Sequence, residues 1–451
     1  MKAWIGVAVL SLSVFAAGCS TGPHATSPGP ASRASLPSPP MQAPTGFDDA
    51  SNGFTDPSIH QTDKARFDDV EQIAGGLGPL YNAQSCRECH QNPVSGGNSQ
   101  IMELRVGHND RHGQFVFPEI PINGGSEVIK GRTLVNFRAI CPSGAFPDTN
   151  ILEHVPQSEN IRTFRTSLNL LGVGFVEAVA DSTLIAIANE QCQRDGKICG
   201  LALKVPVLES PGETRVGRFG WKDEQASLVS MSGDAYFNEM GITSSLFPEE
   251  VTNLCNAASE PNDKAGADGL TDLDHFVRFL RATKAPARDA RLAATAAAQR
   301  GEALFAKVGC ATCHVATLTT VRVGTAVNGG TFVVPEALGN KIFHPYSDYL
   351  LHDIGTGDGI AIAMTEHYGR HVYETRWRDM PLEPFQASAK RMRTAALWGV
   401  RLRTMLMHDG ASHTFGEAIA RHGGEATDVR KRFDHLSKAE QEEVLEFLNS
   451  L

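Results

Sequence analysis

The sequence has no cluster of basic residues and no N-terminal apolar run of transmembrane length. Its 451 residues include 41 Lys and Arg against 51 Asp and Glu, a formal net charge of -10. A surface that binds nucleic acid needs clustered positive charge, so no nucleic acid partner is expected. The apolar run from Ala3 to Phe15 is shorter than the ~20 residues of a membrane-spanning helix. With 41% hydrophobic residues, the chain is typical of a globular protein of two or three domains.

Two motifs of the form C-x-x-C-H begin at Cys86 and at Cys310. In c-type cytochromes the two thiols add to the vinyl groups of a porphyrin, and the histidine becomes an axial ligand of the iron. Zinc binding and thiol redox chemistry are the alternatives for paired cysteines. The sequence predicts a di-haem c-type cytochrome. The residues predicted to attach and ligate the haems are Cys86, Cys89, His90, Cys310, Cys313 and His314.

We expect a mainly α fold with two cytochrome c-like haem domains. Apolar residues at helical spacing predict helices over 182–194, 271–285 and 287–308. A last helix follows Ser437, an N-cap whose capping-box partner is Glu440. Alternating runs and Gly/Pro turns between 95 and 204 predict loops with short strands. The N-terminal haem domain, with this insertion, is predicted over 65–290 and the C-terminal one over 291–451.

The first eighteen residues have the features of a signal peptide: Lys2, an apolar run and closing small residues. The sequence Ala16-Ala17-Gly18-Cys19 resembles the lipobox of bacterial lipoproteins, although Ala16 stands where Leu is more usual. Cys19 is then predicted to carry lipid and to be the mature N-terminus, with plain secretion as the alternative. Because Ser20 rather than Asp follows, we expect a lipid anchor on the periplasmic side of the outer membrane.

A flexible tether is predicted to follow the signal peptide. Residues 19–64 are rich in Pro, Ser, Ala and Gly in their first part, and such composition cannot bury a core. Ordered structure is expected from about Phe67, with a short helix over 68–77 that ends at two glycines.

Four cysteines remain once Cys19 and the haem motifs are set aside. An even number in an oxidising compartment suggests two disulfides. The preferred pairs are Cys192 with Cys199, which closes a short loop, and Cys141 with Cys255. Free buried thiols are the alternative, and none of these cysteines has the C-x-x-C spacing of a thioredoxin-type site.

Several further phrases of the sequence resemble one bacterial family. That family is the di-haem oxidoreductases labelled thiol oxidoreductases, which are similar to di-haem cytochrome c peroxidases and to the enzyme that matures methylamine dehydrogenase. The resemblance covers roughly residues 65 to 451 and implies an oxidoreductase with two covalently bound haems. The phrases are Gly78–Ala83, Gly217–Lys222, Glu239–Ser244, His344–Asp348, His352–Gly355, Arg393–Gly399 and His408–Gly410.

The resemblance to the peroxidases implies two catalytic residues. Those relatives carry a Trp between the haems and, about twenty residues later, a Glu beside the peroxidatic iron, positions that Trp221 and Glu239 match here. A carboxyl group at that place can move a proton between the oxygens of a peroxide. A core aromatic and a helix-capping or surface acid are the alternatives, and Glu177 is the rival acid.

The peroxidase relatives also place a Met at the end of a helix as the second ligand of the C-terminal haem. In this chain the matching helix spans 414–422 and ends with His422. Two imidazole ligands stabilise ferric iron, whereas a thioether raises the potential. A solvated His422 is the alternative, with Met405 or Met407 as ligand.

No opposite ligand can be named for the N-terminal haem, whose proximal ligand is His90. His108 and His112 are near in sequence but are expected at the surface. His352 resembles a family histidine near the haem, and hydrogen bonding or packing is expected of it rather than ligation. A calcium ion between the domains is possible.

The working hypothesis is an enzyme whose His90 haem meets hydrogen peroxide or another substrate, while the His314/His422 haem relays electrons. Trp221 would couple the haems and Glu239 would handle protons. A periplasmic electron-transfer protein is the expected partner. The alternatives are an electron carrier without a substrate pocket and an oxidase that modifies a partner protein.

Overall fold

The computed structural model describes residues 39–141, 151–256, 258–362, 366–368, 371–373 and 382–451. Residues Pro40–Leu451 form one compact unit. The predicted signal peptide, Cys19 and the first part of the predicted tether lie outside the described residues. Within the described ranges, no helix is both long enough and apolar enough to cross a membrane.

Helices supply most of the regular structure in the described ranges. The predicted helices at 182–194, 271–285 and 287–308 are confirmed, with shifted ends and with the last one divided in two. The capping box of Ser437 and Glu440 is also confirmed. The helices are α1 Pro57–Asp68, α2 Cys86–Cys89, α3 Val173–Glu177, α4 Asp181–Asp195, α5 Leu228–Met240, α6 Asp272–Ala282, α7 Ala290–Ala293, α8 Ala296–Val308, α9 Leu382–Ala387, α10 Phe415–Ala420, α11 Thr427–Asp434 and α12 Lys438–Ser450.

The strands are short and pair in small sheets of two or three. The longest pairing is antiparallel, between β3 and β8, and runs from Met102 opposite Thr166 to Gly107 opposite Ile161. The strands are β1 Met41–Gln42, β2 Leu80–Tyr81, β3 Met102–Asn109, β4 Phe115–Val116, β5 Glu119–Ile122, β6 Glu127–Lys130, β7 Arg138–Ala139, β8 Ile161–Thr166, β9 Lys204–Pro206, β10 Thr214–Val216, β11 Leu318–Thr319, β12 Ala326–Val327, β13 Phe332–Val333, β14 Lys341–Phe343, β15 Leu351–His352, β16 Glu366–Tyr368, β17 His371–Tyr373 and β18 Met392–Arg393.

The distribution of strands differs from the prediction. We expected short strands only in the N-terminal insertion, but β11 to β18 all lie after residue 290. These strands have two or three residues each, which is too short for an alternating pattern to show in the sequence.

The tether prediction is wrong for residues 41–64. Met41 and Gln42 pair in parallel with Lys341 and Ile342, and α1 begins at Pro57. The partner strand supplies backbone hydrogen bonds that the Pro-rich segment cannot make within itself. The helix predicted over 68–77 is also wrong, because the chain is helical earlier, with a proline in the first turn, where its missing N–H costs nothing.

The largest hydrophobic core cluster draws on both sides of residue 290. The ring of Phe175 lies 6.1 Å from that of Phe343, which lies 5.7 Å from that of Trp398, centroid to centroid. A smaller cluster forms where α8 packs on α12, with Phe305 5.2 Å from Phe447. The division into two haem domains stays a prediction.

Both predicted disulfides are present in the structure. Cys141 pairs with Cys255 and Cys192 with Cys199, with Cα atoms 5.6 Å and 4.5 Å apart. The described cysteines that remain unpaired are those of the two haem motifs.

Candidate active site

The first haem motif lies in the wall of a cavity between α2, β3, β8 and α5. Cys86 to Cys89 form a single helical turn, capped by the hydroxyl of Ser85, which accepts from the backbone of Glu88. His90 follows, and its Nδ1 donates to the carbonyl oxygen of Gly97 at 3.2 Å. Burial lowers the pKa of His90 to about 4. At neutral pH the ring is therefore uncharged, and its Nε2 lone pair is free to bind a metal.

The second motif lies in the wall of a separate cavity. Helix α8 ends at Gly309, whose φ of 103° favours glycine, and the motif begins with the next residue. The Nδ1 of His314 donates to the carbonyl of Tyr346 at 3.0 Å, and burial lowers the pKa of His314 to about 4. Burial also raises the pKa of the Cys310 thiol to about 12.

His422 faces His314 across the second cavity. Their ring centroids lie 6.5 Å apart, and two imidazoles that bind one metal from opposite sides, at about 2 Å each, have centroids roughly 6 Å apart. The Nδ1 of His422 donates to the carbonyl of Ala418 at 2.8 Å, and burial lowers the pKa of His422. The geometry therefore fits a haem iron between the two rings. Met407 also lines this cavity, whereas Met405 does not.

The walls of the second cavity are mostly apolar, as a porphyrin face requires. Carbon-rich walls exclude water and stabilise a flat aromatic macrocycle. The apolar lining includes Phe305, Leu397, Val400, Ile419, Phe433 and Val444.

Trp221 lines both cavities. Its side chain is 7% exposed, and its indole N–H donates to the carbonyl of Thr166 at 2.7 Å. The ring meets His408 edge to face, with centroids 6.2 Å apart. Trp221 therefore lies where the two cavities meet, and its place between two haems stays a prediction.

Glu239 lies in the wall of the first cavity, together with Glu103 and Arg105. The side-chain amide of Asn82 donates to Glu239 Oε2 at 3.2 Å. Burial and the nearby Glu103 raise the pKa of Glu239 well above its ordinary value of 4.5. Burial and Glu103 therefore favour the protonated form of this carboxyl group, which can donate a proton.

The rival acid Glu177 lines neither cavity. It is fully buried and binds Arg281 through both oxygens, at 2.7 and 3.0 Å. It also accepts from the backbone of Leu228 and the side chain of Asn328, both at 2.9 Å. This set of contacts is typical of a carboxylate that holds the fold together.

The other histidines occupy the places expected of them. His108 pairs with Glu159 at 2.8 Å and His112 is exposed, and neither lines a cavity. Both ring nitrogens of His352 lie 2.9 Å from carboxylates, those of Asp348 and Glu425. Burial lowers the pKa of His352, but the two carboxylates outweigh it and raise this pKa well above 6.5. Hydrogen bonding rather than ligation is its role.

One group of three potential metal ligands occurs in the described ranges: Cys313, Asp348 and His352. Its thiol belongs to the second haem motif, and Ca²⁺ prefers oxygen ligands. The group does not suit calcium, and a calcium site stays a prediction.

The sequence reasoning missed Glu103 and Arg105. They are two residues apart in β3, and side chains at that spacing face the same side of a strand. An E-x-R pattern inside a strand is the signal that was present, but nothing in the sequence places this strand against Glu239.

Two cavities that each present a C-x-x-C-H histidine beside free thiols define a protein that carries two haems. The chain belongs to the di-haem oxidoreductase family, because the family model "Di-haem oxidoreductase, putative peroxidase" matches residues 141–451. The protein is therefore an enzyme, an oxidoreductase of a peroxidase-like family. The match begins after the first haem motif.

No curated protein is significantly similar in sequence. Solved structures similar to this chain include a hydrazine synthase of Kuenenia stuttgartiensis (14% identity, TM-score 0.37, 96% of this chain and 100% of that chain). A MauG-like protein associated with microbial copper homeostasis has 15% identity and a TM-score of 0.36, over 93% of this chain and 95% of that one. The diheme peroxidase BthA of Burkholderia thailandensis has 14% identity and a TM-score of 0.31, over 92% of this chain and 95% of that chain. TM-scores this low carry no argument about function.

Proposed function

We propose that the protein is a peroxidase-like di-haem oxidoreductase whose first cavity, at His90, receives hydrogen peroxide or an oxidisable substrate. The second cavity, between His314 and His422, serves electron relay. The observation that carries this division is that Glu239, an acid whose pKa is raised, lines the first cavity, whereas no described Asp or Glu lines the second. The cysteines of both motifs are proposed to hold their haems covalently.

The haem irons would supply the redox chemistry, and the surrounding residues manage protons and geometry. Glu239 would donate its proton to the departing oxygen of hydrogen peroxide, which leaves as water with the electron pair of the broken bond, and would take up the proton that the other oxygen loses. The two electrons that the remaining oxygen lacks would come from the haem. Asn82 fixes the carboxyl group by its hydrogen bond to Oε2. Trp221 is rigid, since its ring is buried and its N–H is bonded, and it spans the gap between the cavities.

Ligation by His422 favours the relay role for the second cavity. Two imidazole ligands leave no open position for a substrate and lower the potential relative to a His/Met pair. On the His90 side, no described histidine other than His90 lines the cavity. Peroxide chemistry there requires that neither Met102 nor Met231, which also line this cavity, binds the iron.

The cellular setting is proposed from the sequence. Signal peptide cleavage before Cys19 and lipid attachment there would hold the enzyme on the periplasmic side of the outer membrane. A periplasmic electron-transfer protein would then supply or accept the electrons.

Low-temperature EPR of the ferric protein, with and without hydrogen peroxide, tests the division of roles. We expect a high-spin signal that peroxide removes and a low-spin signal of a bis-histidine haem. Two low-spin signals indifferent to peroxide, in the ferric and the half-reduced protein, would instead support an electron carrier.

The role of Glu239 is tested by Glu239→Gln. We expect unchanged haem spectra and turnover lower by about 100-fold or more, because the amide cannot donate a proton as an acid does. The matched control is Glu119→Gln, since Glu119 is an exposed acid of β5 paired with Lys130. Equal turnover in the two variants would remove Glu239 from the mechanism.

A further inference from the structure

The carboxyl groups of Glu239 and Glu103 line the same cavity and interact with each other, with the guanidinium of Arg105 beside Glu103. Two carboxylates cannot hydrogen-bond to each other, because an ionised carboxylate has no donor. A hydrogen bond between the two groups therefore needs one proton. The question that the surroundings decide is which of the two holds it.

Arg105 favours the ionised form of Glu103. Its Nε and Nη2 donate to the two oxygens of Glu103, at 2.8 and 3.1 Å, and its Nη1 is held by the hydroxyl of Thr133 at 3.2 Å. A bidentate guanidinium stabilises a carboxylate far more than a carboxylic acid. Burial alone raises the pKa of Glu103, but Arg105 outweighs it and holds this pKa at about 2.

The contacts of Glu239 fit the protonated form. Its polar partners include the carboxylate of Glu103, which can only accept a hydrogen bond, and the amide of Asn82, which donates to Oε2. Asn82 is itself fixed, since its amide donates to the carbonyl of Val135 at 3.1 Å and its oxygen accepts from the backbone of Phe137 at 3.1 Å. Glu239 thus has one oxygen that accepts and one hydroxyl that donates.

We propose that Glu103 and Glu239 form one proton-sharing pair, in which Arg105 keeps Glu103 ionised so that the proton stays on Glu239, facing the first cavity. Glu103 is then a positioning residue that keeps the acid loaded. The effect of the pair on catalysis rests on the proposed function, whereas the existence of the pair does not depend on that function.

Other charged groups surround the pair, and they must be separated from it experimentally. One of them, Asp234 on α5, is also a carboxyl group with a raised pKa, which burial brings to about 7. The groups that face the pair from the packed elements are Arg105 on β3, Arg165 on β8, Cys89 and His90 at the motif, and Asp234 and Glu224 around α5.

Infrared spectroscopy of the haem-loaded protein tests the pair without turnover, because a protonated carboxyl group has its own carbonyl band. We expect such a band at pH 7 that Glu239→Gln removes. Because the lost negative charge and the freed Arg105 favour ionised Glu239, Glu103→Gln should lower by about 1 to 3 pH units the pH at which Glu239 loses this band. Arg105→Gln should keep it, because the pair still holds a proton. Asp234→Asn is the matched control: it removes the band of Asp234 itself and should leave the band of Glu239 in place.

The pH profile of peroxide turnover gives the second readout. As the pH rises, Glu103→Gln should lose activity at a pH about 1 to 3 units lower than the wild type does. Glu103→Asp should restore most of the wild-type pH profile. If the pH at which the band is lost does not fall in Glu103→Gln, or if the turnover profile does not move, the pair is overturned. If Glu103→Gln fails to take up haem, loss of the band in Arg105→Gln would equally overturn it.

The two proposals fail separately. A pair seen by infrared together with full turnover in Glu239→Gln would refute the catalytic role and leave the pair. Lost turnover in Glu239→Gln with no shared-proton band would refute the pair and leave the acid.

Discussion

Glu177 offers a sharp test of the difference between a carboxylate that stabilises the fold and one that takes part in catalysis. It accepts four hydrogen bonds and neutralises Arg281, whose side chain is only 12% exposed. Glu177→Gln removes the charge and leaves the guanidinium buried without its partner. Breaking a buried pair in this way costs about 3 to 5 kcal/mol.

The expected fall in melting temperature follows from the size of the folded unit. Unfolding entropy of about 2 cal/mol/K per residue gives roughly 0.8 kcal/mol per kelvin for some 400 residues, so the midpoint should fall by about 4 to 6 °C. Differential scanning calorimetry of the haem-loaded protein measures this. Glu190→Gln is the matched control, because Glu190 is an exposed acid on α4 paired with Arg194, and it should shift the midpoint by under about 1 °C.

The stabilisation by Glu177 also depends on pH. Burial raises the pKa of Glu177, but Arg281 outweighs it and holds this pKa below the ordinary value of 4.5. The contribution is therefore complete above pH 4.5 and is lost as the pH falls through the folded-state pKa. Below the melting transition, Glu177→Gln should keep wild-type turnover. Unchanged melting, or lost turnover in the folded variant, would refute the structural assignment.

Two further substitutions probe the second cavity and its support. His422→Met should raise the midpoint potential of one haem in a redox titration, because a thioether favours ferrous iron; an unchanged potential would mean that His422 is not a ligand. Gly301→Ala should destabilise the protein by about 1 to 3 kcal/mol in denaturant unfolding, because its methyl group would clash with the backbone of Glu443. Gly416→Ala, in open space on α10, should not destabilise it.

The parts of the fold that follow local rules were predictable. The haem motifs, the capping box at Ser437 and both disulfides depend on short spacings or on the parity of the cysteine count. The strand at Met41 was missed because its partner is Lys341, some 300 residues later in the chain. No local composition reports a contact of that kind.

The site was predictable only where a motif marks it. Trp221 and Glu239 came from resemblance, and the structure places both in cavity walls. Glu103 and Arg105 belong to a strand whose cavity-facing side is decided by its pairing with β8. The burial that makes their charges matter is a property of the assembled fold.

Trp221 lines both cavities, so a substitution at this position changes the shape of both. A smaller side chain at this position would widen the space at His90 and the space at His422 together. On the proposed function, a substitution at Trp221 would change substrate range and electron transfer together. Variants meant to admit larger substrates are better sought at residues that line the first cavity and not the second, such as Phe117 and Ile101.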